Sequence, residues 1–169
     1  NESLFMTRLF LAGTLSSNYG VYGPVYEQLA HESVPGKEEY FNSEKYEVQH
    51  HDWEAENKIT WLMRILNKTR KEEKALQQSR NFHSLEIENQ SLFAYLKWDG
   101  EDKTVCVVNL DPYNMQEGWL QLPHDFMPLT EGGYRMHDYI SGAEYRWREE
   151  WNYVRLDPAR PFHLFKVIG

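Results

Sequence analysis

The sequence predicts an α+β fold in two parts, helices in residues 1–80 and an antiparallel β-sandwich in residues 81–169. Apolar residues recur at helical spacing before residue 79 and alternate with polar residues after it. Turn signals such as Glu131-Gly132-Gly133 divide the second part into about eight short segments, which is typical of a sandwich. The helical part cannot bury its apolar faces by itself, so we expect a fragment that holds the last units of an alternating α/β fold.

The helical part contains three predicted elements and one long connection. Residues 4–15 are apolar almost all round, which is typical of a helix buried on most sides, and residues 19–22 have the composition of a brief strand. Residues 23–52 form a polar connection that is long for a compact domain, and long loops tend to carry function. Helical spacing over residues 53–77 predicts an amphipathic helix with Asp52 as its cap.

In the second part, alternating apolar and polar residues predict short strands separated by turn residues. They are expected at residues 83–88, 92–98, 104–110, 118–122, 134–140, 144–148, 153–156 and 162–168.

Composition argues against two classes of partner. The chain of 169 residues has 18 basic and 26 acidic residues, a formal charge of −8, which disfavours contact with a nucleic-acid backbone. No apolar run approaches the roughly 20 residues of a membrane span. A lone cysteine, Cys106, cannot form an internal disulfide, which favours a reducing compartment or indifference to redox state. We expect a cytoplasmic location and a buried, inert thiol.

Polar residues gather in the long connection. Glu44, Lys45 and Tyr46 offer an acceptor, a donor and an aromatic ring, which suits a ligand with many hydroxyl groups. The alternative is a solvated loop whose ion pairs are worth about 0–1 kcal/mol each. His50 and His51 are adjacent rather than spaced as metal ligands usually are, so we predict helix entry and no metal.

Aromatic residues make up 15% of the chain, with 6 Trp, 11 Tyr and 8 Phe. Near the C-terminus, Tyr145, Trp147, Trp151 and Tyr153 could form a surface on which sugars stack. In a sandwich, alternating aromatic residues more often fill the core or pair across a hairpin. Taken alone, the sequence presents no complete active site.

Several segments, in order along nearly the whole chain, resemble one family. Residues 9–24, LFLAGTLSSNYGVYGP, resemble the end of the catalytic barrel in the α-amylase superfamily, where an apolar helix leads into a short eighth strand. The loop GKEEYFNSEKYE at residues 36–47 and the strings VVNLDP and NYVRLDP at residues 107–112 and 152–158 narrow the resemblance. Together they resemble the maltosyltransferases of glycogen biosynthesis, members of glycoside hydrolase family 13.

This resemblance implies a parent protein with a (β/α)8 barrel that transfers maltosyl from α-maltose 1-phosphate to an α-1,4-glucan. The reaction would retain the anomeric configuration by forming a covalent glycosyl-aspartate, with a glutamic acid serving first as the acid and then as the base. No metal or organic cofactor would be required. Residues 1–80 would be the last helix–strand–helix units of the barrel. Since barrel active sites are built by the loops after the strands, Tyr22, Glu44, Lys45 and Tyr46 are implied to line the donor sugar subsites.

The same resemblance implies what this chain lacks. In this superfamily the nucleophile follows the fourth barrel strand, the acid/base follows the fifth, and a third, stabilising Asp follows the seventh. The resemblance begins only at the end of the barrel, so we expect no catalytic residue in this chain and no activity of the isolated chain. The missing barrel strands are expected partners, and the apolar helix is expected to repack on the sandwich or to self-associate, as in a homo-oligomer. Hydrolase or trehalose-synthase chemistry and a stand-alone carbohydrate-binding module are the alternatives.

Overall fold

The computed structural model describes residues 1–37, 39, 41, 48 and 50–169. The helices are α1 (Glu2–Leu15), α2 (Gly23–Glu27) and α3 (Lys58–Glu72), followed by a 3-10 turn at Lys74–Gln77. The strands are β1 (Phe82–Leu85), β2 (Leu92–Asp99), β3 (Asp102–Asn109), β4 (Gln116–Gln121), β5 (Tyr134–Asp138), β6 (Glu144–Trp147), β7 (Trp151–Leu156) and β8 (Phe162–Ile168).

The strands form two antiparallel sheets, which confirms the predicted sandwich. The larger sheet has the order β1-β2-β3-β8-β5-β6, and the smaller sheet pairs β4 with β7. Each predicted strand overlaps an observed one, and most differ at their ends by a few residues. The last strand, β8, inserts between β3 and β5 and so joins the two halves of the larger sheet.

The larger sheet is the middle of three layers, because both of its faces are covered. In β3, Val105 and Val107 face the smaller sheet, while Cys106 and Val108 face the helices. All four side chains have no exposed surface. Burial on both sides explains why this strand reads as a continuous apolar run rather than an alternating one.

The helices α1 and α3 lie on the outer face of the larger sheet. Met6, Leu9 and Phe10 of α1 share a hydrophobic core with sheet residues. The ring of Phe10 stacks on that of Phe162, with 4.4 Å between centroids and 8° between planes. Of the two outcomes expected for the apolar helix, the structure has the first, packing on the sandwich. The helix is nevertheless buried on one face only, since Arg8 and Ala12 are exposed.

The predicted start of the amphipathic helix is wrong. Helix α3 begins at Lys58, and its cap is Asn57, whose Oδ1 accepts hydrogen bonds from the backbone N–H groups of Ile59 and Thr60. A cap must directly precede the first helical residue to reach those groups. Asp52 instead accepts a hydrogen bond from the N–H of Glu54 at 3.0 Å, in a turn before the helix.

Residues 19–22, predicted as a brief strand, pair with no other strand in the part of the chain that the structure describes. An extended segment becomes a strand only when a neighbouring strand satisfies its backbone. Side chains hold the segment instead, through the phenol of Tyr19, which donates to Oδ1 of Asn67 at 2.5 Å.

Within the described residues, none of the helices combines the length and apolar character that a bilayer crossing requires.

Candidate functional site

The residues predicted to bind the donor sugar fall mostly outside the described part of the chain. Glu44, Lys45 and Tyr46 lie outside the described residues. Tyr22 is described, and 66% of its surface is exposed. It borders a small cavity of about 190 Å³ over α1, whose other walls include Ala12 and Tyr26.

Two half-buried phenols fix the segment that carries Tyr22. Tyr26 donates a hydrogen bond to the carbonyl of Phe5 in α1 at 2.5 Å. The Tyr19 ring lies 5.1 Å beneath the guanidinium carbon of Arg70 in α3, a cation–π distance. Burial raises the pKa of both Tyr19 and Tyr26, so each phenol stays protonated and can donate. Tyr22 is therefore presented to solvent from an anchored segment, with its ring available for stacking.

The adjacent histidines do not begin a helix. Nδ1 of His51 lies 3.3 Å from Oε1 of Gln28, and its ring meets Trp53 edge-on at 5.8 Å. A search of the described residues finds no group of three or more His, Cys, Asp or Glu that could hold a metal ion.

A second concave surface lies between β6, β7 and β8 at the open side of the sandwich. We call it the sandwich cleft. Its volume is about 350 Å³, at the lower end of the range for small-molecule sites. Its walls are formed by Tyr145, Trp147, Tyr153, Val154, Arg155, Leu156, Asp157, Arg160, His163 and Phe165.

The four aromatic residues near the C-terminus divide between core and surface. Trp147 is buried at 4% exposure and packs edge-on against Phe165, as the core interpretation predicts. Trp151 is half-buried. Tyr145 and Tyr153 remain 42% and 49% exposed and face the cleft, so the core interpretation is wrong for them. Strand alternation alone could not reveal this, because Tyr145 and Trp147 share one face of β6.

A buried carboxylate orients a histidine at the cleft wall. Oδ2 of Asp138, which is fully buried, lies 2.9 Å from Nδ1 of His163. Ser141 and the backbone N–H groups of Ile140 and Leu164 also donate to this carboxylate. Burial pushes the pKa of Asp138 up, but the hydrogen bond and charge of His163 and the other donors outweigh it and hold the pKa below its usual range.

This arrangement fixes the orientation of the His163 ring. A carboxylate beside Nδ1 favours a proton on that nitrogen and fixes the ring orientation. No pattern in the sequence pairs Asp138 with a histidine. Its partner is 25 residues away along the chain, and only the pairing of β5 with β8 brings the two together.

Two solved structures of α-amylases share this fold. A maltogenic α-amylase, AmyB from Thermotoga neapolitana, superimposes on 100% of this chain and 37% of its own, with a TM-score of 0.68 and 17% identity. An α-amylase from Geobacillus thermoleovorans complexed with acarbose covers 70% of this chain and 25% of its own, with a TM-score of 0.56 and 18% identity. The fold is therefore of the class found in α-amylase structures.

Sequence similarity defines the family more narrowly. The model described as GLGE, C-terminal matches residues 82–167, and the chain belongs to that family. It is 41% identical, over 99% of its length, to α-1,4-glucan:maltose-1-phosphate maltosyltransferase from Chlorobaculum tepidum, and 40% identical over 95% to the enzyme of that name from Salinibacter ruber. The chain spans about a quarter of the length of these curated relatives, 26% and 24% respectively.

Proposed function

We propose that this chain is the C-terminal part of a retaining maltosyltransferase, which moves maltosyl from α-maltose 1-phosphate to an α-1,4-glucan in glycogen-type synthesis. The observation that carries the proposal is the 41% identity over 99% of the chain to an enzyme named for that reaction. The resemblance of the donor loop at residues 36–47 supports the same reaction.

Within such a parent, residues 1–80 would be the end of the (β/α)8 barrel and residues 81–169 a sandwich domain. The order of α1, residues 19–22 and α3 supports this division, because helix, strand and helix alternate at the end of a barrel. Residues 19–22 would be the eighth strand, paired with barrel strands outside this chain. The larger sheet would then anchor the barrel end through the core that it shares with α1 and α3.

The proposed binding residues are Tyr22, Glu44, Lys45 and Tyr46, which would line the donor sugar subsites. The exposed ring of Tyr22, on an anchored segment at the start of the loop, supports this assignment. The paired carboxylates of a retaining mechanism would come from the rest of the parent. Neither a metal nor an organic cofactor is required by that mechanism.

We also propose a cytoplasmic location. The supporting observation is that the 169 residues contain one cysteine, Cys106, which forms no disulfide. Its side chain is fully buried, and burial raises the pKa of its thiol to about 12. Such a thiol packs as a small apolar group and is inert as a nucleophile.

Release of inorganic phosphate by the full-length parent tests the proposed reaction. With α-maltose 1-phosphate and maltohexaose, we expect phosphate release together with acceptor lengthening by maltosyl units. Tyr46→Ala should reduce the rate, whereas Tyr113→Ala, on an exposed turn between β3 and β4, should not. Cleavage of maltohexaose without phosphate release would instead identify a hydrolase and overturn the proposal.

A further inference from the structure

We propose that the sandwich cleft, together with the neighbouring outer face of the smaller sheet, binds an α-1,4-glucan chain. The choice of an α-1,4-glucan rests on the proposed function. The existence of a carbohydrate site there rests on the geometry of the cleft.

Aromatic rings are exposed on a pair of strands, β4 and β7, whose other face belongs to the core. Trp119 on β4 lies opposite Tyr153 on β7, and their exposed fractions are 48% and 49%. Leu120 and Val154, the next residue on each strand, point inward and are buried. Single exposed aromatic rings are common on protein surfaces. Several such rings grouped on one surface indicate a binding face.

These rings are held in place by contacts within the chain itself. The phenol of Tyr153 donates to Oε2 of Glu117 at 2.5 Å, and its ring meets Trp119 edge-on at 5.7 Å. The Tyr145 ring meets His163 and Phe165 edge-on, at 6.0 and 5.7 Å. Rigid rings bind with less loss of conformational freedom, which favours affinity.

Hydrogen-bond donors and acceptors lie beside the rings in the cleft. Arg155 and Arg160 can donate to hydroxyl groups, and the carboxylate of Asp157 is partly used to hold its own turn, accepting from the N–H of Arg160 at 2.9 Å. His163, oriented by a buried carboxylate, adds a further hydrogen-bonding group at the wall. Rings that pack on the C–H faces of pyranoses, with donors and acceptors at their edges, fit a neutral polyhydroxylated chain.

Other ligand classes fit this surface less well. The carboxylates of Glu117 and Asp157 lie beside the rings, and the chain carries a formal charge of −8, so a nucleic-acid strand would be repelled. An amphipathic helix would need a continuous apolar groove, whereas charged residues interrupt this cleft.

Native gel electrophoresis of the 169-residue chain in gels containing soluble glycogen tests the proposal. We expect slower migration as glycogen increases, with no such effect from hydroxyethylcellulose, a β-1,4-linked polymer. Tyr145→Ala and Tyr153→Ala should each weaken retention about tenfold. Tyr153→Phe, which keeps the ring, should retain most of it. Tyr113→Ala, at a tyrosine that is more exposed (74%) and lies outside the cleft, is the control.

Arg160→Gln provides a variant that leaves the ring packing intact, and it should also weaken retention. Migration of the unaltered chain that is independent of glycogen would overturn the proposal, and so would retention unaffected by all of the cleft substitutions. Equal retardation by hydroxyethylcellulose would overturn the choice of an α-glucan. Because retention requires no maltosyl transfer, its outcome is independent of phosphate release by the parent.

Discussion

At the scale of single residues, two cations complete the C-terminal end of α1. The last turn of this helix contains no basic residue of its own. The ammonium of Lys97 in β2 donates to the carbonyls of Leu15 and Gln78 at 3.1 and 2.5 Å. The guanidinium of Arg70 in α3 donates to the carbonyl of Gly13 at 2.6 Å. Carbonyls that a helix end leaves unpaired are thereby satisfied by charges that its dipole favours.

Replacing Lys97 by Met should lower the free energy of unfolding by about 1–3 kcal/mol. The side chain is fully buried, and Met keeps most of its volume while leaving the carbonyls of Leu15 and Gln78 without this donor. Urea unfolding measures the change. Lys68→Met, at a side chain that is 78% exposed, is the control and should stay within about 0.5 kcal/mol. Equal effects of the two substitutions would show that the buried ammonium contributes nothing.

Glu73, directly after α3, gives the stability a pH dependence. Its side chain is buried, Lys166 lies 2.7 Å from Oε1, and the phenol of Tyr139 donates to the same oxygen. Burial raises the pKa of Glu73, and the neighbouring Asp102 raises it further, despite the lowering effect of Lys166 and Tyr139. The folded chain therefore binds this proton more tightly than the unfolded chain does.

A carboxyl group with a raised pKa in the folded state costs stability as pH increases from its ordinary range through the raised value. Glu73→Gln removes that cost. The free energy of unfolding of the variant, minus that of the original chain, should therefore increase between pH 4 and pH 7. Glu101→Gln, at a fully exposed side chain, controls for the loss of one negative charge. A difference that decreases over this range would contradict the assignment.

At the scale of elements, Asn57 determines where α3 begins and ties it to α2. Its Oδ1 caps two N–H groups, Thr60 Oγ1 accepts from its backbone N–H at 3.1 Å, and its Nδ2 donates to the carbonyl of Glu27 at 2.8 Å. Asn57→Ala should cost about 1 kcal/mol in urea unfolding. Asp52→Ala removes the cap expected from sequence and should change stability by less than about 0.5 kcal/mol. A larger loss of stability from Asp52→Ala than from Asn57→Ala would mean that the helix begins earlier.

The elements show what local sequence determines. Strands could be predicted because alternation and turn residues act over a few positions, and all eight are observed. The choice between Asp52 and Asn57 as the helix cap could not be predicted, because both are good capping residues. The path of the preceding chain decides between them. The pairing of Asp138 with His163 depends on strand register across 25 residues, which no short motif records. For Glu44, Lys45 and Tyr46 the binding role stays a prediction.

At the scale of the whole molecule, the helical part and the sandwich share a hydrophobic core. Residues from α1 and α3 pack against Tyr95, Cys106, Val108, Phe162 and Leu164 of the larger sheet. The two parts that the sequence divides near residue 80 are therefore joined by one continuous core between the helices and the larger sheet. If the parent is a barrel enzyme as proposed, this core is what would attach the sandwich to the barrel end.

Native-state hydrogen exchange in increasing urea tests the shared core most directly. Amides of α1 and β3 should lose protection in a single step at the same urea concentration. Phe10→Ala, which removes the ring stacked on Phe162, should lower the free energy of opening of both elements equally, by about 3–5 kcal/mol. Loss of protection in α1 at low urea, with β3 still protected and unaffected by the substitution, would contradict a single core.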